Sequence, residues 1–483
     1  MRSGHFLRLG ALGAACAATV ALAQSADPGD RRIPNLLPLP NASGVAATFS
    51  AAGYIDLGNP FFQSLGTNGR SCATCHVQQT GWTITPANVQ RRFEATGGTD
   101  PIFRTNDGSN SPLADVSTVE ARRRAYGMLL SKGLIRVGIG IPANAQFELV
   151  AVDDPYGYAS SRELSLFRRV LPSTNLKFLS AVMWDGRETF RDPNSTDCLF
   201  STTICFASIH FDLADQANGA AMGHEQAAQP LTPAQRDAIV AFESGLFTAQ
   251  VIDRDAGRLD ALGALGGPVF ASAQDFYFGI NDTVFGDYRT GAQFTPTVMT
   301  LYDAWANVVP NPAANDPEAR DPAVATARRA VARGEALFNS KPIMIRGVKG
   351  LNDALGVDTI QGTCTTCHNA PNAGDHSIPL PLDIGIADAT RRTPDLPLYT
   401  LRNTTTGETL QTTDPGRALI TGRWTDIGKF KGPVLRALAS RAPYFHNGAA
   451  PDLNAVVDFY DTRFGIGFTP DEKADLVAFL RAL

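Results

Sequence analysis

The pentapeptide Cys-x-x-Cys-His occurs twice in this 483-residue chain, at residues 72–76 and 364–368, and no other feature constrains the fold as strongly. This pentapeptide is the covalent attachment site of a c-type haem. Two cysteines three positions apart lie on one face of a helical turn, so both thiols can form thioethers with the same porphyrin edge. The histidine that follows supplies the proximal iron ligand. The sequence therefore predicts two covalently bound c-type haems, with His76 and His368 as iron ligands.

Two other chemistries use a Cys-x-x-Cys pair, namely a redox dithiol and half of a zinc site. A zinc site needs a second pair of ligands at a suitable spacing. No second cysteine pair lies near either motif, and each pair is followed directly by a histidine. We therefore expect the first haem on Cys72 and Cys75 and the second on Cys364 and Cys367.

The N-terminus has the pattern of a secretory signal. Arg2 and Arg8 flank the start of an apolar stretch that ends in an A-x-A cleavage site at Ala23. The stretch is too short for a spanning helix, and no run of about 18 apolar residues follows it. We expect a signal peptide over residues 1–23 and no membrane span in the mature chain. Because c-type haem is attached outside the bacterial cytoplasm, the expected location is the periplasm.

Two cysteines are left over once the signal and the haem motifs are set aside. Cys198 and Cys205 would close a short loop in an oxidising compartment, so a disulfide is expected between them, with two free buried thiols as the alternative.

The net charge argues against nucleic acid as a partner. The chain has 42 Lys and Arg against 47 Asp and Glu, which gives −5, and loss of Arg2 and Arg8 with the signal leaves −7. A surface of this sign repels a polyanion, whereas docking of a small redox protein depends on local patches.

The length of the chain and the separation of its motifs predict more than one domain. A mature chain of about 460 residues is too long for a single core. Similar segments precede the two motifs, at residues 58–66 and 333–339, which indicates an internal repeat with one haem in each part. We expect an N-terminal haem domain over residues 24–320, including an insertion and a connecting stretch, and a C-terminal haem domain over residues 321–483.

Apolar periodicity predicts helices at three places and few strands. Apolar residues recur every three or four positions over residues 321–338, 232–243 and 469–479. Thr232 and Pro233 have the residue types of an N-cap and a first helical position. The expected fold is mainly α, with two cytochrome c-like haem domains and long irregular connections.

Four further motifs carry a resemblance to a known family. They are Trp-Asp-Gly-Arg at 184–187, residues 430–436, residues 442–448 and residues 458–460. With the paired haem motifs, they closely resemble the bacterial di-haem cytochrome c peroxidase and MauG superfamily, in the family's order and from about residue 50 to the end. The resemblance implies two cytochrome c-like domains with a tryptophan between the haems. Trp184 takes that position, and the alternative is a core tryptophan in a turn.

The resemblance also suggests the second ligand of the second haem. Tyr460 stands fourteen residues after His446, where peroxidases of the family carry methionine and MauG carries tyrosine, and no methionine follows Met344. A phenolate ligand stabilises ferric iron and lowers the reduction potential. His446 is the alternative ligand, because rubber oxygenases of the same superfamily use a histidine there or close by. A purely structural Tyr460 in a packed helix is the third possibility.

The first haem is expected to be open to a ligand. Peroxidases of the family place a second histidine soon after the first motif, but here no histidine lies between His76 and His210, and Arg91 and Arg92 occupy the loop. As in MauG, the iron would be five-coordinate or hold water, and no reductive activation would be needed.

Cleavage of peroxide also needs an acid-base group over the open iron. The family takes a Gln and a Glu from the segment after Trp-Asp-Gly-Arg, which makes Gln216 and Glu225 the counterparts and His224 the rival of Glu225. Glu225 and His224 could instead be solvated loop residues. The family's calcium ion is doubtful, because residues 168–172 offer no Asn.

These observations predict a periplasmic di-haem peroxidase-like oxidoreductase. It would react with hydrogen peroxide at the first haem and share oxidising equivalents with the second haem through Trp184. The electron donor would be a small redox protein, a cytochrome c or a cupredoxin, unless the substrate is itself a protein. The alternatives are a non-enzymatic di-haem electron carrier and a dioxygen-using oxygenase related to rubber oxygenase, which would have a roomy apolar pocket in place of Glu225.

Overall fold

The computed structural model describes residues 31–189 and 209–483, together with the backbone of two short strands in the stretch between them. The expected signal peptide, residues 1–23, lies outside the described residues. Among the helices that are described, none combines the length and the apolar character needed to cross a membrane.

Helices occur throughout the described chain. The α-helices are α1 (Cys72–Cys75), α2 (Pro86–Thr96), α3 (Val119–Ala125), α4 (Gly127–Lys132), α5 (Ile209–Gly223), α6 (Pro233–Ser244), α7 (Pro268–Ala273), α8 (Pro317–Arg320), α9 (Pro322–Ser340), α10 (Asn352–Leu355), α11 (Ala418–Thr421), α12 (Leu453–Phe464) and α13 (Pro470–Ala482). Short 3-10 turns lie between them, at Pro60–Phe62, Gln78–Thr80, Leu176–Phe178, Asp303–Trp305, Cys364–Thr366, Ala389–Arg391, Trp424–Asp426 and Leu438–Ser440.

Strands are as widely distributed as helices. They are β1 (Arg32–Pro34), β2 (Leu39–Asn41), β3 (Gly44–Ser50), β4 (Tyr54–Asp56), β5 (Leu134–Ile139), β6 (Phe147–Asp153), β7 (Leu164–Arg169), β8 (Cys198–Ser201), β9 (Ile204–Cys205), β10 (Leu246–Asp253), β11 (Gly257–Arg258), β12 (Ile343–Arg346), β13 (Thr359–Gly362), β14 (Leu398–Asn403) and β15 (Thr409–Thr412). They form small antiparallel sheets, the largest with the strand order β11-β10-β3-β2.

The expected mainly α fold is not confirmed, because helices make up about 32% and strands about 18% of the structure. Two of the strands that sequence reasoning missed, β7 and β10, are buried on both faces. Every residue of β7 is buried, as are six of the eight residues of β10. A strand buried on both faces lacks the alternation of apolar and polar residues by which a half-exposed strand is recognised.

The three predicted helices are confirmed as α6, α9 and α13. Their starts follow from local capping, which the sequence shows directly. In α6 the Thr232 hydroxyl accepts from the backbone NH of Gln235, and the Gln235 side chain accepts in return from the backbone NH of Thr232. Thr469 and Glu472 form the same reciprocal cap at α13.

Contacts join the residues on either side of the predicted boundary near residue 320. Strand β6 pairs antiparallel with β14, from Phe147 opposite Asn403 to Asp153 opposite Leu398. Helix α13 packs against α9, and its Arg481 forms an ion pair with Asp253 of β10 at 2.7 Å. The described residues on the two sides of this boundary therefore pack against each other. The limits of the two haem domains stay a prediction.

Strands β8 and β9 place the backbones of Cys198 and Cys205 directly opposite each other. Their side chains lie outside the described part of the structure, so the disulfide between them stays a prediction.

Substitution of Gly334 tests the packing of α9 on α13. A Cβ at Gly334 would lie 2.0 Å from the carbonyl oxygen of Asp475 and 2.7 Å from Cβ of Phe479. Gly334→Ala should therefore lower the free energy of unfolding by about 1–3 kcal/mol through overpacking, against a helix-propensity gain of only about 1 kcal/mol. Denaturant-induced unfolding measures the change.

Gly219 provides the matched control, because it also lies inside a helix but a Cβ there meets no atom within 4 Å. Gly219→Ala should leave stability unchanged or raise it by up to about 1 kcal/mol. Equal effects of the two substitutions would contradict the close approach of α9 and α13.

Candidate functional site

The first Cys-x-x-Cys-His motif forms a single helical turn that its neighbours hold in place. Within the turn, the backbone NH of Ser71 donates to the Thr74 hydroxyl at 2.9 Å. Arg92 of α2 donates to the Thr74 carbonyl at 2.6 Å and also pairs with Asp100. The predicted loop arginine therefore supports the attachment motif.

His76 ends this turn with its ring fixed by a backbone hydrogen bond. Its Nδ1 donates to the carbonyl of Trp82 at 3.1 Å, and the backbone of Leu171 also hydrogen-bonds to the ring. Burial lowers the pKa of His76 to about 4, so the imidazole is neutral near pH 7, the form that binds a metal.

The second motif repeats this arrangement. Nδ1 of His368 donates to the carbonyl of Gly374 at 2.6 Å, and burial lowers the pKa of His368 to about 4. Burial raises the pKa of the Cys364 and Cys367 thiols to about 12. Both thiols, like those of the first motif, are free of disulfide bonds within the described residues.

A cavity adjoins each motif. The polar and sulfur-bearing side chains of the first cavity include His76, Met183, Gln216, His224 and Glu243. Those of the second cavity include Cys364, Cys367, His368, His376, His446 and Tyr460, among mostly aliphatic and aromatic neighbours.

The residues of both cavities fit a c-type haem. Each cavity has an adjoining histidine that is neutral near pH 7, a pair of thiols without a disulfide bond in its motif, and largely apolar walls. In the second cavity, Nε2 of His376 and Nε2 of His446 are buried without a hydrogen-bond partner among the described residues. Buried polar atoms rarely stay unsatisfied, so these two indicate a bound group that completes the site.

The structure brings both alternative ligands of the second haem to the second cavity. The Tyr460 ring lies on α12 beside Phe464, and its hydroxyl makes no hydrogen bond to a described residue. Burial raises the pKa of Tyr460, and the Cys367 and Cys364 thiolates would raise it further.

His446 is held differently. Its ring stacks on Phe430 at a centroid distance of 3.9 Å, and Nε2 lies 4.0 Å from Asp414 Oδ2. Burial lowers the pKa of His446 to about 4.

The predicted acid-base residues of the first haem separate into two groups. Gln216 and His224 line the first cavity, and Nδ1 of His224 lies 2.5 Å from Asp107 Oδ2. Asp107 is in turn paired with Arg70 at 2.5 Å. The His224 ring is therefore oriented by a carboxylate that a buried arginine holds.

Glu225 turns away from this group. Its Oε2 accepts from the backbone NH of Leu65 at 2.9 Å, and its Oε1 lies 3.6 Å from Cys72 Sγ. Burial raises the pKa of Glu225. Glu225 is not among the described residues that line the first cavity. Its carboxylate contacts Cys72 of the attachment motif instead.

Sequence reasoning missed Glu243, which also lines the first cavity. Its side chain is buried, its Oε2 has no hydrogen-bond partner among the described residues, and burial raises its pKa to about 7. Glu243 lies four residues after the buried Ile239 on α6, so an acid on the apolar face of a predicted helix was the available signal.

Trp184 lies in the wall that separates the cavities. We define the shared wall as the residues that line both cavities, namely residues 169–172, Trp184, Lys431, Pro433 and Arg441. The indole Nε1 of Trp184 donates to the Arg169 carbonyl at 2.8 Å, and its ring centroid lies 6.3 Å from that of His446.

Arg169 crosses the shared wall with its guanidinium surrounded by carbonyl oxygens. Nη1 donates to the carbonyls of Lys132 and Gly133, and Nη2 donates to those of Ile84 and Arg441, at 2.6 to 3.1 Å. Burial lowers the pKa of Arg169 to about 9, so the side chain stays charged near pH 7. One buried charge thus joins segments from both halves of the chain.

Comparison with known proteins finds peroxidases over part of the chain, while no family model matches it. The chain is 32% identical over 171 residues to cytochrome-c peroxidase IdrP1 of Pseudomonas sp. strain SCT, covering 31% of this chain and 39% of that protein. It is 34% identical over 141 residues to cytochrome-c peroxidase IdrP2 of Denitromonas iodatirespirans, covering 27% and 38%. It is 28% identical over 144 residues to cytochrome c551 peroxidase of Nitrosomonas europaea, covering 28% and 37%.

The chain thus spans less than two fifths of the length of the curated relatives it matches. These similarities support a relationship with the di-haem cytochrome c peroxidase superfamily and with its c-type haem cofactors. The solved structure of a MauG-like protein associated with microbial copper homeostasis aligns over 95% of both chains at 16% identity, but its TM-score of 0.33 is too low to bear on the fold.

Substitution of Arg169 tests its carbonyl contacts. Arg169→Met keeps most of the side-chain volume but leaves buried carbonyls without a donor, so we expect the free energy of unfolding to fall by about 3 kcal/mol or more. Arg258, an exposed residue paired with Asp260, is the control, and Arg258→Met should change stability by less than about 0.5 kcal/mol. A small effect at both positions would show that Arg169 does not join the two halves.

Proposed function

We propose that this chain is a periplasmic di-haem peroxidase-like oxidoreductase that reacts with hydrogen peroxide at the first haem. The observation that carries this proposal is that two cavities, each beside a Cys-x-x-Cys-His motif, share one wall that contains Trp184. The partial similarity to proteins named cytochrome-c peroxidase supports the same reaction class.

The residues that would hold the haems are those of the two motifs. Cys72, Cys75 and His76 would bind the first haem, and the second motif would bind the other in the same way. A bound haem supplies a redox-active iron that can take up electrons and bind an oxygen of peroxide.

In the first cavity, His224 is proposed to move the proton that peroxide cleavage requires. Its Nδ1 is held by Asp107, so the other ring nitrogen, Nε2, is the atom available to take a proton from one peroxide oxygen and return it to the other. The amide of Gln216 can hydrogen-bond peroxide in the same cavity. Glu225 is proposed to position the attachment motif, because its carboxylate contacts Leu65 and Cys72.

In the second cavity, Tyr460 is proposed as the distal ligand, with His446 as the rival. Neither the Tyr460 hydroxyl nor Nε2 of His446 has a hydrogen-bond partner among the described residues, but the His446 ring is stacked on Phe430 and lies 4.0 Å from Asp414 Oδ2. An anionic phenolate would lower the potential of this haem. The proposal includes no calcium ion, because residues 168–172 offer no Asn.

Electron exchange between the haems is assigned to Trp184, whose indole lies between the two cavities. A small redox protein, a cytochrome c or a cupredoxin, is the proposed donor. A second candidate function is that of a non-enzymatic electron carrier. The observation in its favour is that Met183 lines the first cavity, since a thioether there could close the sixth coordination position.

The role of His224 is tested by the reaction of the oxidised protein with peroxide. His224→Gln should react at least about a hundredfold more slowly in stopped-flow absorbance, the scale for loss of a positioned acid-base group. Glu225→Gln is the adjacent control and should react at close to the wild-type rate once both haems are attached. Slow reaction of Glu225→Gln with normal reaction of His224→Gln would reverse the assignment. A wild-type protein that does not react with peroxide would favour the electron carrier.

The ligand of the second haem is tested by electron paramagnetic resonance of the ferric protein. Tyr460→Phe should convert one low-spin signal to high-spin or to a new low-spin species and raise the potential of that haem. Tyr444→Phe is the matched control, because Tyr444 lines the same cavity but donates its hydroxyl to the Leu438 carbonyl at 2.7 Å. An unchanged spectrum in Tyr460→Phe, with loss of the low-spin signal in His446→Ala, would show that His446 is the iron ligand.

A further inference from the structure

Glu243 differs in its position from the other acidic residues of the described chain. Among the described residues, it is the one aspartate or glutamate that lines either cavity. Its side chain is buried near the end of α6, and no charged group of the described chain shifts its pKa. The first cavity therefore contains a carboxyl group that pairs with no described cation.

Burial decides the protonation state of this carboxyl group. Asp185 and Asp414 are also buried, but both bind the guanidinium of Arg168. Glu243 has the Ser173 hydroxyl as a hydrogen-bond partner, and its Oε2 has none among the described residues. Burial in such surroundings favours the neutral acid and raises the pKa of Glu243 to about 7. Near pH 7 the group can therefore both give and take a proton.

Hydrogen bonds connect Glu243 to the first attachment motif. The Ser173 hydroxyl contacts the carboxyl group, and the backbone NH of Ser173 donates to the Trp82 carbonyl at 3.0 Å. The same carbonyl accepts from Nδ1 of His76 at 3.1 Å. Burial raises the pKa of the Cys72 thiol, and the Glu243 carboxylate raises it further. Glu243 thus lies beside the motif that would hold the first haem, separated from His76 by Ser173 and Trp82.

The elements that pack on α6 leave the pKa of Glu243 to burial and to Ser173. The helix packs against α5 and against the turns Pro60–Phe62 and Leu176–Phe178. The titratable side chains of these elements are those of His210, Asp212, Asp215 and Lys177, and none of them shifts the pKa of Glu243. A change of charge inside the cavity would therefore act on this carboxyl group without competition from these side chains.

The proposed reaction consumes protons that His224 does not add. Reduction of one hydrogen peroxide to two waters takes two electrons, from the small redox protein of the proposed function, and two protons, from solvent. His224 moves a proton from one peroxide oxygen to the other, so it leaves the number of protons in the cavity unchanged. A second group has to bring the two protons in.

We propose that Glu243 carries these protons into the first cavity. This inference rests on the proposed function, because it concerns the protons of the same reaction. An electron that enters the cavity adds negative charge near the Glu243 carboxylate, which raises its affinity for a proton from solvent. The protonated carboxyl group then gives this proton to an oxygen atom of the peroxide as it is reduced to water, and the second electron repeats the cycle. Glu243 thereby couples each electron to one proton.

Infrared difference spectroscopy tests the proton uptake without turnover. When the haem-loaded wild-type protein is reduced near pH 7, we expect the carbonyl band of a protonated carboxylic acid to gain intensity. The gain should be absent from Glu243→Gln, which keeps the size of the side chain and cannot ionise. A wild-type spectrum in which no carboxylic acid band changes would overturn the proposal, and this outcome needs no variant.

Glu335→Gln is the matched control for the assignment of the band. Glu335 is also buried in a helix, and burial raises its pKa to about 7, but it lines neither cavity. Its carboxylate accepts from the backbone NH groups of Leu301 and Tyr302 at 2.6 and 2.8 Å. Glu335→Gln should therefore keep the band change of the wild type. Loss of the change in Glu335→Gln, with its retention in Glu243→Gln, would overturn the proposal.

Stopped-flow absorbance separates the two proton steps. In Glu243→Gln the reaction of the ferric protein with peroxide should run at close to the wild-type rate, because His224 is intact. The return to the ferric state with ascorbate as electron donor should be at least about a hundredfold slower than in the wild type, the scale for loss of a positioned acid. A return at the wild-type rate, or a slow peroxide reaction with a normal return, would contradict the role of Glu243.

Failure of the proposed function gives a different result. A wild-type protein that does not react with peroxide would contradict the proposed function. A wild-type protein that reacts with peroxide but shows no change in a carboxylic acid band on reduction would contradict the inference alone.

Discussion

The ion pairs of Arg168 with Asp185 and Asp414 are the interaction on which the site depends. All three side chains are almost fully buried, and the guanidinium bridges the Trp-Asp-Gly-Arg turn and the chain that leads to the second cavity. Breaking a buried pair of this kind by removing one partner costs about 3–5 kcal/mol, because the remaining charge stays in the core. The network therefore holds two residues in fixed positions relative to each other. They are Trp184, the neighbour of Asp185, and His446, whose Nε2 lies 4.0 Å from Asp414 Oδ2.

The next residue of β7, Arg169, is also an arginine, but its charge has different partners. Arg168 is neutralised by two carboxylates, whereas Arg169 meets only backbone carbonyls and keeps its full charge at the boundary of both cavities. Successive residues of a strand point to opposite faces, so adjacent arginines reach different surroundings. Arg169 thus gives the shared wall a permanent positive charge. On the other face of the strand, Arg168 and its two carboxylates form a rigid link.

The parts of the site that follow from local sequence could be predicted, and the parts that depend on distant contacts could not. The attachment motifs and the capped helices α6, α9 and α13 need only neighbouring residues. The choice between His224 and Glu225 depends on which of two adjacent side chains faces the cavity. That choice is set by the contacts of Glu225 with Leu65 and Cys72, about 150 residues away. Likewise, the four carbonyls around Arg169 come from three separate stretches of the chain, and no pattern near residue 169 indicates them.

The expectation of a mainly α fold was not confirmed, for a related reason. Strands such as β7 and β10 are buried on both faces, so their sequences lack the regular alternation of apolar and polar residues that marks a strand. Strand β7 carries Arg168 and Arg169, and Arg169 is part of the wall on which the two cavities meet. The pairing of β7 with β5 thus positions Arg168 and Arg169, whose contacts sequence reasoning could not assign.

The central claim is that the two haem sites work as one unit through the wall that they share. It is tested most directly by adding one equivalent of hydrogen peroxide to the ferric protein and following both haems by Mössbauer and optical spectroscopy. We expect both haems of the wild type to change in the same kinetic phase, and the change in Trp184→Phe to stay on the first haem and to decay sooner. If both haems change as fast and as persistently in Trp184→Phe as in the wild type, the shared wall does not carry the exchange.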